Sequence, residues 1–263
     1  MDTSTYTRMT TSEDACTLTV AHLFITAADS GYTLIIRDLL EDGRIDPSTD
    51  QNQALRWAAY EGHTDVVKLL LADPRVDPTA VDNWALKNAV SAGHSDIVKL
   101  LLADPRIDPN TSDNFVIKRA CTLGYTDIVK LLLADSRLEP HGKNFSFRCA
   151  SRHGHSEVIK LLLTDPEVNP ASRGSIALMW AAASGHSEVV RLLLADCRSC
   201  PVSRRNYALR CSSSNGHFDV VNLLLADNRV KPTSYGNRAI ILASRRGHMK
   251  IVDLILSHKS YKD

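Results

Sequence analysis

The stretch NQALRWAAYEGHTDVVKLLLADPRVDP, residues 52–78, contains two apolar segments with one glycine, Gly62, between them. In the first segment, small and apolar side chains fall on one stripe of a helix, at Ala54, Leu55, Ala58 and Ala59. Gly62 is suited to end that helix, because glycine accepts the positive φ of a helix C-terminus. The second segment, residues 66–71, is apolar on nearly every side and must be covered by other elements. Pro74 ends it, so the stretch predicts a helix, a tight turn, a second helix and a loop.

Polar residues mark where these two helices are expected to begin. Asn52 is a suitable N-cap for the first helix and Thr64 for the second, since both side chains can accept a free backbone N–H. Asp65 lies in the first turn of the second helix, where its charge favours the helix dipole. After Pro74 we expect an extended loop that runs to the next cap, Asn83.

The same pattern returns along the whole chain. A glycine recurs every 31 residues, with one gap of 30, at Gly31, Gly62, Gly93, Gly124, Gly154, Gly185, Gly216 and Gly247. A fixed period of this size predicts stacked units rather than a globule folded around one centre. The last unit stops where its proline would fall, so we expect the array to be complete there, with the final helix as an outer cap.

The segment Leu55–His63, followed by Val66-Val67 and Leu70-Leu71, resembles an ankyrin repeat. The resemblance recurs eight times over about residues 21–263 and implies an all-α fold, an α-solenoid of about eight ankyrin-like helix-turn-helix repeats. Some positions depart from the family pattern: Gln53-Ala54-Leu55-Arg56 replaces its T-P-L-H opening, and Asp73-Pro74-Arg75 replaces a glycine turn. One further residue is missing near 141–143. Residues 1–20, rich in Ser and Thr, are expected to be a loose leader or an N-terminal cap.

Composition excludes several classes of partner and location. The net charge is +1, so no global field attracts nucleic acid or an acidic membrane, and neither is expected as a partner. No apolar run approaches the roughly 18 residues of a membrane span. The N-terminus lacks the basic and apolar regions of a secretory signal. With largely unpaired cysteines, these features predict a monomer in the cytoplasm or the nucleocytoplasmic space, not a secreted protein.

Residues that could carry chemistry are better explained by structure. The histidines that follow the repeat glycine lie a whole repeat apart, so no two can share a metal ion; they are His63, His94, His155, His186, His217 and His248. The ankyrin resemblance implies that they brace the backbones of neighbouring repeats. Cys197 and Cys200 form a C-x-x-C without the second pair that a zinc site needs, and a local disulfide or redox role stays open. We therefore expect no enzyme, no metal and no cofactor.

The remaining candidate for function is surface. In ankyrin-like stacks partners bind the concave face, formed by the finger loops and the first-helix ends. Mapped onto this chain, the helix positions are Tyr60, Glu61, Ser91, Ala92, Thr122, Leu123, Arg152, His153, Ala183, Ser184, Ser214, Asn215, Arg245 and Arg246. They vary between repeats while the glycines, which we regard as structural, do not. The resemblance thus implies a non-enzymatic protein–protein interaction scaffold, although these positions could also be merely exposed and unconstrained.

Charge and aromatic residues refine this prediction. Basic side chains cluster in the C-terminal half, at Arg152, His153, Arg173, Arg204, Arg205, Arg238, Arg245 and Arg246. They favour an acidic partner segment, the alternative being an ordinary solvated surface. A second ladder of cations is expected to pair with acidic groups of adjacent loops, and consists of Arg56, Lys87, Lys118, Arg148 and Arg210. Trp57 and Trp180 share one repeat position, for which packing is favoured over a partner anchor.

Three alternatives remain at this stage. The chain could be a targeting or regulatory adaptor that sequesters or recruits a cellular protein. It could be a cryptic enzyme, in which case Cys149 and His153 are the residues to inspect. The basic C-terminal surface could also bind nucleic acid, which a salt-dependent mobility shift would reveal.

Overall fold

The computed structural model describes the backbone of residues 12–258 and the side chains of residues 20–233 and 237–258. Every regular element in this range is an α-helix, which confirms the predicted all-α architecture. The first helix begins at Ser12, within the predicted leader, whose residues 1–11 lie outside the described part. The helices are α1 (Ser12–Asp29), α2 (Thr33–Asp42), α3 (Thr49–Glu61), α4 (Thr64–Ala72), α5 (Ala80–Ala92), α6 (Ser95–Leu102), α7 (Thr111–Leu123), α8 (Thr126–Ala134), α9 (Pro140–His153), α10 (Ser156–Leu163), α11 (Ser172–Ser184), α12 (Ser187–Ala195), α13 (Ser203–Asn215), α14 (Phe218–Ala226), α15 (Ser234–Arg245) and α16 (Met249–Ser257).

Among the described residues, the helices pack as two rows within each of two compact units, unit 1 up to Ser112 and unit 2 from Asp113 onward. In unit 1 the first helices α1, α3 and α5 lie side by side, and the second helices α2, α4 and α6 form the other row. In unit 2 the same holds for α9, α11, α13 and α15, and for α8, α10, α12, α14 and α16. The predicted stacking of helix pairs is therefore found in both units.

The apolar stripes read from the sequence form the core between the two rows. Ala58 and Ala59 of α3 and Val66, Val67 and Leu70 of α4 are all fully buried. Each buried apolar surface contributes roughly 25 cal/mol per Å² removed from water. Since one helix pair cannot cover these side chains alone, neighbouring repeats supply the rest of the contact.

A left-handed turn lies within the first residues of most first helices, and it corrects the predicted cap and loop. Asp50, Gln51 and Asn52 have φ values of 51°, 59° and 58°, so the loop is not extended and Asn52 is not an N-cap. Its buried side chain instead accepts a hydrogen bond from the N–H of Asp77 in the next loop, at 2.9 Å. Left-handed residues cost about 1–2 kcal/mol each, which Asn and Asp tolerate best. The bond between repeats helps to offset that cost.

Equivalent turns occur elsewhere, and the second predicted cap is also wrong. Three consecutive positive-φ residues recur at 81–83, 112–114, 173–175 and 204–206. Thr64 is the first residue of α4, His63 occupies the N-cap position, and no side-chain capping bond forms there. Asn206 likewise joins neighbouring repeats, since its Nδ2 donates to the carbonyl of Lys231 at 2.9 Å, whereas the buried Oδ1 atoms of Asn83 and Asn114 have no hydrogen-bond partner among the described residues.

An Asp-x-Arg pair holds the loop after each typical second helix. The guanidinium of Arg75 binds both carboxylate oxygens of Asp73, with Nη2 to Oδ2 at 2.6 Å, and donates to the carbonyl of Ile45 one repeat earlier. The same guanidinium lowers the pKa of Asp73. Corresponding bonds to the preceding loop run from Arg106 to Val76, from Arg198 to Val168 and from Arg229 to Ser199.

One repeat replaces this pair by a different one. Where the pattern has Arg, Glu167 stands two residues after Asp165. Lys143, whose side chain is 9% exposed, lies 2.6 Å from Glu167 and 3.1 Å from Asp165. This is also the repeat shortened by one residue, and its first helix α9 begins with Pro140 and has no left-handed turn.

Candidate partner-binding surface

Histidine and glycine from neighbouring repeats fix the ends of the first helices. His186 Nε2 donates to the carbonyl of Arg152 at 2.9 Å, and its ring lies directly against Gly154. Carbonyls at a helix C-terminus lack a partner within the helix, so this bond satisfies one of them. The equivalent bonds run from His63 to Asp29, His94 to Tyr60, His155 to Thr122, His217 to Ala183 and His248 to Ser214. The histidines thus brace neighbouring backbones, as the resemblance implied.

The repeat glycines all adopt positive φ, between 75° and 90°. Several of the predicted partner-binding residues lie just before these glycines, and their carbonyls receive the histidine bonds. The backbone at these positions is therefore held by the following repeat, while several of the side chains, such as those of Tyr60 and Arg152, are exposed. This combination gives an accessible surface on a fixed backbone.

Most predicted partner-binding side chains are accessible. The exposed ones are Tyr60, Glu61, Arg152, His153, Ser184, Asn215, Arg245 and Arg246. The half-buried ones are Ser91, Ala92, Thr122, Leu123 and Ala183. Ser214 is the exception, because its side chain is buried.

Two of the exposed residues are already engaged between repeats. Asn215 Nδ2 donates to the carbonyl of Ala183 at 2.8 Å. Arg246 Nη1 donates to Asn215 Oδ1 at 3.1 Å. Substituting either residue would disturb packing between repeats as well as any bound partner.

Aromatic side chains dominate the exposed side of the first helices in unit 1. Trp57, Tyr60 and Trp84 are 41%, 45% and 44% exposed, so Trp57 is partly packed and partly accessible to a partner. A cavity of about 160 Å³ lies between α3 and α5, lined by Gln53, Arg56, Trp57, Trp84 and Asn88. Trp84 was not among the predicted residues, although its repeat position also holds aromatic side chains at Phe115, Phe145 and Tyr207.

In unit 2 the corresponding surface alternates cations with aromatic rings. Lys118 Nζ and the Arg148 guanidinium lie 4.9 Å and 5.2 Å from the ring centre of Phe145. Arg152 lies over Trp180 at 5.5 Å. Arg210 lies over Tyr207 at the same distance. We call the exposed side of α9, α11, α13 and α15, with the turns before them, the first-helix face of unit 2.

Two of the five ladder cations pair with an acidic group of the loop segment next to them, within their own repeat. Lys87 binds Asp82 at 2.8 Å, and Lys118 binds Asp113 at 2.6 Å. In each case the carboxylate belongs to the left-handed turn at the start of the same helix. The hydrogen bond from Lys87 is the main reason why the pKa of Asp82 lies well below its usual range, with Ser112 adding to the effect.

Three ladder residues lack this carboxylate. Five residues before Arg56 stands Gln51, and Arg56 donates instead to the backbone carbonyl of Asp50 at 2.9 Å. The repeats of Arg148 and Arg210 carry the cations Lys143 and Arg205 at that position. Neither Arg148 nor Arg210 forms a hydrogen bond or ion pair within the described residues. Arg148 is only 7% exposed, and burial, together with the charge of Arg173, lowers its pKa. The Nε of Arg210 is buried and unbonded in the same range.

Charge is segregated along the row of first helices in unit 2. The sequences of α9, α11, α13 and α15 contain no Asp or Glu and nine Lys or Arg, namely Lys143, Arg148, Arg152, Arg173, Arg204, Arg205, Arg210, Arg238 and Arg245. In unit 1, α3 and α5 instead carry Asp50, Glu61 and Asp82 beside Arg56 and Lys87. The near-neutral total charge therefore conceals a strongly basic row.

The residues considered for catalysis do not form a nucleophile and base. His153 Nδ1 donates to the carbonyl of Cys149 at 2.9 Å rather than meeting its sulfur, and its ring stacks on His155. Burial raises the pKa of the Cys149 thiol, which disfavours the reactive thiolate. Cys197 and Cys200 are both exposed and free. No group of three or more His, Cys, Asp or Glu side chains suited to a metal occurs among the residues described.

Two comparisons bear on the whole chain. A family model described as ankyrin repeats (3 copies) matches residues 23–113, 117–206 and 178–263. No curated protein matches the chain at a significant level. Among the described helices, none has both the length and the apolar character required to cross a membrane.

Proposed function

Because this chain belongs to the ankyrin-repeat family, whose repeats generally act as protein–protein interaction modules, we propose that it is a non-enzymatic scaffold that binds a partner protein through its first helices and their turns. The family is typically non-enzymatic. The helix ends are held by the histidine bonds while their side chains remain accessible. A rigid surface of this kind lowers the entropic cost of association.

The observation that carries the proposal furthest is the charge of the first-helix face of unit 2. Nine cations and no carboxylate in the sequences of four neighbouring helices favour an acidic segment of the partner protein. Of the other carboxylates in unit 2, Asp113 lies on α7 and is paired with Lys118 at 2.6 Å, and several on second helices are also paired, as Glu157 is with Lys160 at 2.7 Å. Charge complementarity would thus orient the partner along one row of helices.

Unit 1 would contribute apolar contacts instead of charge. Trp57, Tyr60 and Trp84 border or adjoin the cavity between α3 and α5, and exposed aromatic residues of this kind are the commonest energetic anchors of protein interfaces. We propose that they contact the same partner. We also propose a monomer in a reducing, cytoplasmic or nucleocytoplasmic compartment, which the free cysteines support.

Site-specific photo-crosslinking tests this proposal. A photoreactive phenylalanine analogue would replace Tyr60 or Arg152 on first helices, and Lys68 or Lys130 on second helices as matched controls. All four side chains are exposed, so accessibility alone cannot distinguish them. We expect crosslinks to a common polypeptide, identified by mass spectrometry, from the first-helix positions and not from the controls. Equal crosslinking from both rows would contradict the proposal.

A further inference from the structure

The cation ladder of the first helices is complete in some repeats and incomplete in others. In the complete repeats the ladder cation forms an ion pair with a carboxylate five residues earlier. Lys87 lies 2.8 Å from Asp82, and Lys118 lies 2.6 Å from Asp113. Arg148 and Arg210 occupy the same repeat position but have a cation where that carboxylate would be. A buried guanidinium without a counter-ion is costly, so such groups are normally paired.

In the repeat of Arg148, the cation that stands in place of the carboxylate has a structural role of its own. Lys143 is drawn to Asp165 and Glu167 at 3.1 Å and 2.6 Å, so it completes the loop that lacks the usual arginine. Arg148 keeps its place over Phe145 and is left beside Arg173 rather than a carboxylate. In the repeat of Arg210, the next cation, Arg204, donates to the carbonyl of Arg173 at 3.2 Å. Neither Arg148 nor Arg210 forms an ion pair within the described part of the chain.

We propose that Arg148 and Arg210 are two receiving sites for carboxylates of one extended acidic segment in the partner protein. This inference rests on the proposed function and specifies its ligand. The segment supplies at each site the carboxylate that Asp82 and Asp113 supply internally. An arginine fork matches a carboxylate in two parallel bonds, which favours discrete sites over diffuse attraction.

The fold sets the spacing of the two carboxylates. Arg148 lies on α9 and Arg210 on α13, with α11 packed between them. Packed helices lie about 8–10 Å apart, which places the two arginines roughly 16–20 Å apart. An extended chain rises about 3.3 Å per residue and alternates its side chains, so carboxylates about six residues apart span this distance on the same side. Met179 occupies the ladder position between them, so the middle of the segment meets no third ladder cation.

Synthetic peptides of equal length and charge test the spacing. Each consists of Gly and Ser with two Glu-Glu pairs, which start about three, six or nine residues apart. Fluorescence anisotropy with the full chain at about 50 mM salt measures binding while surface charges are weakly screened. We expect the six-residue spacing to bind roughly fivefold or more tightly than the others, since both sites are then occupied together.

Variants of the chain assign the effect to the two arginines. Arg148→Met and Arg210→Met should each remove the preference for spacing. Lys160→Met, on the second helix of the same repeat as Arg148, should leave it unchanged. Arg205→Asp restores an internal carboxylate for Arg210 and should also remove the preference without truncating the ladder residue. Circular dichroism checks folding, and if a methionine variant unfolds, Arg148→Lys and Arg205→Asp decide.

The possible results separate this inference from the function on which it rests. Binding that depends on total charge alone, or a spacing preference that survives these variants, overturns the two-site inference but leaves an acidic partner in place. Failure of every acidic peptide to bind overturns both. A duplex oligonucleotide that binds more tightly than the peptides and requires both arginines would replace the protein ligand by nucleic acid.

Discussion

Replacing Gly154 by alanine tests whether the repeat glycine and the next histidine act as one unit. Gly154 has a φ of +80°, and an added Cβ would lie 2.6 Å from Nδ1 and 2.8 Å from Cε1 of His186. Contacts this short require the ring to move. Because Nε2 of that ring holds the carbonyl of Arg152 at 2.9 Å, the movement breaks the brace between the repeats.

The expected cost has two parts. An L-residue in the left-handed region costs about 1–2 kcal/mol. Loss of the histidine bond adds about 0.5–1.5 kcal/mol. We therefore expect Gly154→Ala to lower the free energy of unfolding by about 2–3 kcal/mol. Gly247→Ala isolates the first part, because Gly247 has a φ of +77° and no atom within 4 Å of an added Cβ.

Urea unfolding followed by circular dichroism measures both variants, with equal m-values as the check that the same transition is compared. His186→Ala completes a double-mutant cycle. Once the ring is gone, Gly154→Ala should cost no more than Gly247→Ala, which corresponds to a coupling free energy of about 1 kcal/mol. A coupling near zero would refute the argument, because the glycine and histidine would then contribute independently.

Three further changes test other parts of the structure. Lys143→Met should destabilise the chain by about 1–3 kcal/mol in urea unfolding, since it leaves the carboxylates of Asp165 and Glu167 without their cation. Adding Glu167→Arg should restore stability, because it recreates the usual Asp-x-Arg pair of the loop. A double variant no more stable than Lys143→Met alone would contradict this. The hydrogen bond from Arg229 lowers the pKa of Asp227 below its ordinary value of 3.8. The stabilisation from the ionised Asp227 is therefore fully present above pH 3.8 and is lost as the pH falls through the lower pKa of the folded state. Asp227→Asn should therefore be less stable than the parent at pH near 6, with the difference shrinking at about pH 3. Burial raises the pKa of the Cys121 thiol, so alkylation of the folded chain, read by mass spectrometry, should label the exposed Cys200 and spare Cys121 until denaturant is added.

The fold was predictable because its determinants are periodic and local. Apolar residues such as Leu55 and Val67 repeat at helical spacing, and each Gly ends one helix at a fixed distance from the next. Pairs that act across repeats were harder to read. Asn52 has the composition of a cap, yet its bond is made 25 residues later to Asp77, and only the packed structure brings these two groups together.

The candidate surface was predictable in outline but not in detail. The exposure of residues near Tyr60 and Arg152 follows from their position on the helix, opposite the apolar stripe. The burial of Ser214 and the exposure of Trp84 depend on how the neighbouring helices pack. The Asp-x-Arg loop pair could have been recognised from its recurrence, as at Asp73 and Arg75. Its energetic role required the contact with the preceding loop, which no spacing within one repeat reveals.

The exceptional repeat connects stability with recognition. Replacing the loop arginine by Glu167 would leave an unpaired carboxylate, and Lys143 neutralises it from the preceding first helix. The same lysine stands five residues before the ladder cation, where Asp82 and Asp113 neutralise Lys87 and Lys118, so Arg148 has no internal counter-ion at that position. The exchange that completes the loop thereby leaves the largely buried guanidinium of Arg148 without an internal counter-ion. If Lys143→Met/Glu167→Arg restores the loop while Arg148 still selects the spaced acidic peptide, the two roles are separable, and the missing carboxylate, not the lysine itself, defines the site.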